Sequence, residues 1–184
     1  MKALALHGFD ATVEEVAQLS GVSPRTIFRH FKTHDQLILS TVEDMFQACG
    51  RPADNAAHSR EDLEGWLTGL ACTIHKRNVE ILGDAFWDIH IPRPDASGPL
   101  REVDRLRRRY RTQGVRHLVD LAWRAAGGAG DPPDGLVTDF ALNFSAFTTH
   151  ALMTDFDQTP EQVGALTADI LLTLLRRAVA GTTA

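Results

Sequence analysis

A chain of 184 residues, 43% hydrophobic and 23% charged, is long enough to bury a sizeable core, and its composition is that of a globular protein rather than a disordered one. Its net charge of −5 excludes a protein that coats nucleic acid by broad phosphate neutralisation, so any contact with DNA has to be local. Cys49 and Cys72 form neither a disulfide framework nor a CxxC metal motif, no apolar run reaches membrane-spanning length, and MKALALHGF is too short for a signal peptide, so a cytoplasmic location is expected.

Met1 to His7 reads as the end of a helix closed by Gly8, with Leu4 and Leu6 offered to a core. Thr12 to Lys32, TVEEVAQLSGVSPRTIFRHFK, then reads as two short helices joined by a fixed corner. Thr12 and Glu15 form a capping box at the first start, and Val13, Val16 and Ala17 make the buried side. Gly21 supplies a left-handed corner without steric strain, with Val22 expected to plug it. Ser23 caps the second helix, and Pro24 occupies its first position, where a missing amide hydrogen is harmless. On that helix Ile27 and Phe31 lie four apart and face inward, leaving Pro24, Arg25, Thr26, Arg29 and His30 outward. Arginine can bond guanine bidentately and threonine can touch a thymine methyl, while the capped starts at Thr12 and Ser23 present amides and hydroxyls to phosphates. Helix-corner-helix units also serve as plain packing corners. Against that stands the local charge: Ser23 to Lys32 carries Arg25, Arg29 and Lys32 and no acid, within an acidic chain.

This stretch resembles the DNA-binding domain of the tetracycline-repressor (TetR) family. The resemblance rests on Gly8-Phe9, Thr12-Val13, Val16-Ala17, Gly21-Val22-Ser23, Thr26-Ile27-Phe28, His30-Phe31-Lys32 and Leu37, and covers about the first quarter of the chain. It implies that Arg25, Thr26, Arg29 and His30 face bases, and that Thr12, Ser23 and Lys32 contact phosphates. Phe28 departs from the family's usual tyrosine, so a phosphate contact through a hydroxyl is not expected there. The family's first helix is longer and follows a basic arm; the natural reading frame is therefore expected to extend upstream by roughly four helical turns.

Thr33 and Gln36 make another capping box, opening a connecting helix that runs to about Gly50 with Leu37, Ile38, Thr41, Val42, Met45, Phe46 and Cys49 on more than one side. RPADNAAH, from Arg51 to His58, is a polar break. Ser59 caps the next helix, whose Leu63, Trp66, Leu67, Leu70 and Ile74 keep a three-four rhythm to about Lys76. Val79, Leu82, Phe86 and Ile89 continue it on another helix, stopped by Pro92 and Pro94 ahead of a loop to Pro99. A long helix from Pro99 to Ala126 carries Val103, Leu106, Tyr110, His117 and Leu121 along one stripe and ends in GGAGDPPDG. Two helices close the chain, Leu136 to about Thr154 and Pro160 to about Ala180. On the last, Val163, Leu166, Ile170, Leu174 and Ala178 form one stripe, expected to face the chain's own core. Ala165, Ala168, Leu172, Leu175 and Val179 form a second, read as a dimer interface, with deeper burial in one bundle as the other reading.

The aromatic residues concentrate after residue 60, and most are core; Trp66, His75, Phe86, His117, Phe144, Phe147 and His150 are candidates to line a ligand pocket. Glu80, Asp84 and Asp88, and the arginine run Arg105, Arg107, Arg108, Arg109 and Arg111, suit solvated helix faces. No Gly-rich phosphate loop, GxSxG elbow or HExxH pair is present, so no catalytic residue, cofactor or metal ligand is assigned and no enzymatic activity is expected. The expectation is an all-α protein: residues 1–49 a helix-turn-helix DNA-binding domain with its connecting helix, and 50–184 a ligand-binding and dimerisation bundle. Its partners would be a palindromic double-stranded DNA operator, a small, largely apolar effector and a second copy of the chain, with no membrane. The alternatives are an all-α small-molecule or metal-binding protein, or a protein–protein adaptor, in which the corner is only structural.

Overall fold

A computed structural model describes residues 2–50, 62–82 and 98–182, and among them every regular element is helical. The residues form two compact units, Met1–Ala48 with Glu80–Tyr110, and Cys49–Val79 with Arg111–Ala184. One division falls at Ala48–Cys49, near the boundary the sequence suggests, and the described residues Pro99–Tyr110 group with the first unit.

In the first unit, α1 (Lys2–His7) ends at Gly8, whose φ of 60° opens a 3-10 turn, Gly8–Asp10. α2 (Val13–Ser20) and α3 (Pro24–His30) are joined at Gly21, which takes φ 70° and donates its N–H to the Ala17 carbonyl. That left-handed turn is open to glycine without the strain a Cβ would add. α4 (His34–Gly50) follows. Val13, Ile27 and Leu37 bury one small core with Val16, Ala17 and Phe31 packed on it, which is why α2 and α3 hold a fixed crossing. The other side of α4 buries Ile38, Val42 and Met45 with Leu4 and with Val103 from the next unit-one segment. Val42 is fully buried, and a valine so placed contributes about 1.5–3 kcal/mol. The brace on α1 is therefore Leu4 together with Ala3, while Leu6, expected in the core, is 57% exposed. Val22 is likewise exposed and does not plug the corner.

α5 (Leu63–Leu82), which belongs to the second unit up to Val79, is one uninterrupted helix where the sequence predicts a break after about Lys76; Arg77 and Asn78 carry no helix stop. α6 (Pro99–Ala125) belongs to the first unit up to Tyr110 and to the second from Arg111. Its buried stripe in the second unit is Leu118, Val119, Ala122 and Trp123, and His117 points to solvent. The segment expected as a single helix from Leu136 is two, α7 (Asp134–Asn143) and α8 (Ala146–Phe156). The Ser145 hydroxyl accepts the Phe147 N–H and so starts a new helix in place of continuing the old one. α9 (Pro160–Thr182) opens on the expected Thr159–Gln162 capping box.

The core of this unit gathers Leu67, Leu70 and Ala71 of α5, Val119 and Trp123 of α6, Phe140 of α7, and Leu171, Leu172 and Leu175 of α9. Ala168, Leu172, Leu175 and Val179, expected at a subunit interface, thus lie in the chain's own core; of that stripe only Ala165 is exposed. The other stripe is divided: Val163 is buried and Leu174 and Ala178 pack against the core as expected, while Leu166 and Ile170, also expected there, are exposed at 45% and 36%. Arg51 to His58, the Ser59 cap, Asp84, Phe86, Asp88, Ile89 and the loop with Pro92 and Pro94 lie outside the described residues.

Candidate nucleic-acid interface

Both helix starts of the corner are closed by side chains. Thr12 Oγ1 accepts the Glu15 N–H at 3.2 Å, and the Glu15 carboxylate accepts the Thr12 N–H at 2.7 Å. The Thr12 amide holds the Glu15 carboxyl below its usual range, so it is ionised at neutral pH. Ser23 Oγ accepts the Thr26 N–H at 3.2 Å and lies 3.0 Å from Thr26 Oγ1. At α4 the expected box is modified: Thr33 Oγ1 accepts the Gln36 N–H at 3.2 Å, but Gln36 Oε1 reaches past Thr33 to the Lys32 N–H at 2.9 Å.

Between these starts, α3 buries Ile27 and presents Arg25, Arg29 and His30 to solvent, with Ser23 and Lys32 exposed at its two ends and Thr26 half-buried against the Ser23 cap. Phe28 is 49% exposed on the same short helix, where an apolar ring has no core to join. Among the described residues no carboxylate pairs with Arg25 or Arg29; arginines so placed on a capped helix can enter a groove and bond base edges, and the exposed threonine and lysine at the helix starts can meet phosphates.

The arginine run on α6 is arranged differently. Arg105 pairs with Glu102 at 3.0 Å, Arg107 with Asp104 at 3.4 Å, and Arg109 with Glu43 of α4 at 2.8 Å. Tyr110 donates its hydroxyl to Glu43, accepts from Gln47 and stacks on Phe46. Most of this run is committed within the chain. The Glu43–Arg109–Tyr110 cluster and the packing of Val103 were missed from sequence, because pairs more than sixty residues apart leave no periodic trace.

Of the ligand-pocket candidates, His75 and Phe144 come together inside the second unit. His75 is fully buried, with Nδ1 2.8 Å from Thr149 Oγ1 and Nε2 3.0 Å from Thr167 Oγ1, and Phe144 is stacked on its ring. Asn78 also donates to Thr149 Oγ1, and the Thr149 hydroxyl proton goes to the Ser145 carbonyl. Thr149 can then only accept from His75, so Nδ1 carries the proton and Nε2 accepts from Thr167. Burial pushes the His75 pKa down to about 4, and the ring is neutral at pH 7. Trp66 packs on the core, His117, Phe147 and His150 lie on the surface, and Phe86 is outside the described residues. Among the described residues no three His, Cys, Asp or Glu side chains come together as metal ligands, and no helix is long and apolar enough to cross a membrane.

Comparison with known proteins gives one result that bears on this geometry: residues 1–41 match the family described as bacterial regulatory proteins, tetR family. No curated protein and no solved structure matches the chain. The matched residues take in α1, the corner, α3 and the first turns of α4, the part of the molecule that carries the outward arginines between capped helix starts. Residues 1–41 thus form a DNA-binding domain like that of the tetR family of bacterial regulatory proteins, and this domain makes the chain a DNA-binding transcriptional regulator.

Proposed function

We propose that the chain is a cytoplasmic repressor that binds a palindromic operator as a homodimer and is released by a small, largely apolar ligand held in its second unit. The observation that carries the DNA part of this reading is α3, whose Arg25, Arg29 and His30 are exposed while Ile27 is buried. Arg25, Arg29, His30 and Thr26 read base edges; Thr12, Ser23 and Lys32 hold phosphates. A two-fold reader meets two half-sites about one helical turn apart, which is why a dimer follows from the size of one short recognition helix. The exposed Leu166 and Ile170 of α9 supply an apolar surface for the second copy. Release by a ligand follows the family pattern, in which the connecting helix moves and the two recognition helices no longer match their half-sites; a few kcal/mol of differential binding is enough.

Selection of bound duplexes from a random pool tests the reading. Recovery of a palindrome with half-sites about 10 base pairs apart, centre to centre, is the expected result. Enrichment of no sequence would overturn it, and enrichment of a single unrepeated half-site would remove the dimer.

A further inference from the structure

Thr12 and Lys32 stand at the two ends of the helix-turn-helix, and for both to meet one DNA backbone their separation has to be set by something other than the corner between α2 and α3. We propose that His34 is a positioning residue for DNA binding, whose imidazole ties the peptide entering α2 to the first turn of α4 and so sets the spacing of the two phosphate-contacting helix starts. This inference rests on the DNA-binding reading of Thr12 and Lys32.

His34 Nε2 lies 2.6 Å from the Ala11 carbonyl oxygen, across 23 residues of sequence. A carbonyl can only accept, so Nε2 carries the hydrogen and donates it. Ala11 is 1% exposed, and its carbonyl would lose its partner with the imidazole. The Ala11–Thr12 peptide is in fact held on both sides: its carbonyl by His34 and its N–H by the ionised Glu15 carboxylate at 2.7 Å. Thr12 is therefore fixed in orientation as well as position. On the other side of the bond, Lys32 and His34 flank Thr33; the Lys32 N–H is held by Gln36, and the Thr33 hydroxyl caps α4. One short bond thus joins two segments that are each internally fixed, and α3 lies in the sequence between them. Neither the corner glycine nor the small core of Val13, Ile27 and Leu37 contains a polar group that could do this.

The test compares His34→Ala and His34→Gln in the full chain on the selected operator and on unrelated duplexes, with thermal unfolding as a control. His34→Ala is expected to bind every duplex about tenfold more weakly with base preference unchanged, the loss of about one hydrogen bond. His34→Gln, whose amide N–H reaches the place of Nε2–H, is expected to restore most of that loss. The effects of His34→Ala and Thr12→Ala should be non-additive, while those of His34→Ala and Arg25→Ala should add. In the free chain, imidazole nitrogen resonances should show Nε2 protonated. Native affinity in His34→Ala, no recovery in His34→Gln, additivity with Thr12→Ala, or an unprotonated Nε2 would each overturn the proposal. If the native chain selects no duplex while Nε2–H is present and bonded, the DNA reading has failed and the proposed role falls with it, though the bond itself stands.

Discussion

At the scale of single residues, neighbouring side chains of one type do different work according to what they meet. Arg25 and Arg29 stand exposed on α3, whereas Arg109 is held by Glu43 and Arg105 by Glu102. Replacing Arg25 or Arg29 by alanine is expected to relax choice at one base position and weaken operator binding by about 1–3 kcal/mol. Lys32→Ala should weaken all duplexes alike and flatten the salt dependence of binding. Titrations on the operator and on single-base variants separate the two outcomes; unchanged base preference in both arginine variants would remove the base-reading assignment. His75 gives a prediction of another kind. Its folded pKa lies near 4, below the 6.5 of an unburied histidine. Its buried neutral form therefore stabilises the fold fully above pH 6.5, and this contribution drains away as pH falls toward 4, because the unfolded chain takes up the proton first. At about 1.4 kcal/mol per pH unit the loss reaches roughly 3 kcal/mol. Urea unfolding at pH 7 and pH 5 should show most of it, and His75→Gln should reduce the pH dependence while lowering stability at pH 7.

At the scale of elements, what could be read from sequence was what local chemistry dictates. The capping box at Thr12, the left-handed Gly21, the Ser23–Pro24 start and the inward Ile27 are each decided within a few residues, and the structure has them all. Elements decided by distant packing were not legible. The continuity of α5 is one such case: the polar Lys76, Arg77 and Asn78 interrupt the apolar rhythm, although nothing there stops a helix. The helix expected from Leu136 hid the Ser145 cap, since a serine between two phenylalanines at helical spacing shows no break in apolar rhythm. The division of α9 into buried and exposed positions was not legible because both stripes are apolar, and the helices packed around it decide which residues are inside. Gly164 shows how that position is held: a Cβ built there would lie 2.6 Å from Cys72 Cα, so α5 and α9 approach backbone to backbone. Gly164→Ala should force the helices apart and destabilise the second unit by about 1–3 kcal/mol, and Gly164→Val by more. Thermal unfolding checks this; a melting temperature unchanged in Gly164→Ala would mean that the approach is looser than it stands here.

At the scale of the whole molecule, the proposed dimer has to use the face of α9 that its own core leaves open. Leu172 is 6% exposed and packed in the core, whereas Leu166 and Ile170, on the other side of the same helix, are 45% and 36% exposed. An aspartate at each position therefore has a different consequence. In Leu172→Asp a carboxylate enters an apolar core without a partner, and the second unit is expected to unfold, since burying an unpaired charge costs several kcal/mol. In Leu166→Asp and Ile170→Asp the new charge meets solvent in the monomer, so the chain should stay folded. In a dimer closed through this face, the symmetry brings the same patch from both copies together, and two new carboxylates would be desolvated against an apolar partner surface. The double variant Leu166→Asp/Ile170→Asp is expected to give folded monomers by light scattering, with operator binding lost because one copy meets only one half-site. Because the chain's own stability is not at stake in that variant, a dimer of native affinity would place the subunit contact elsewhere, and a native chain that is itself monomeric would end the two-fold reading of the operator.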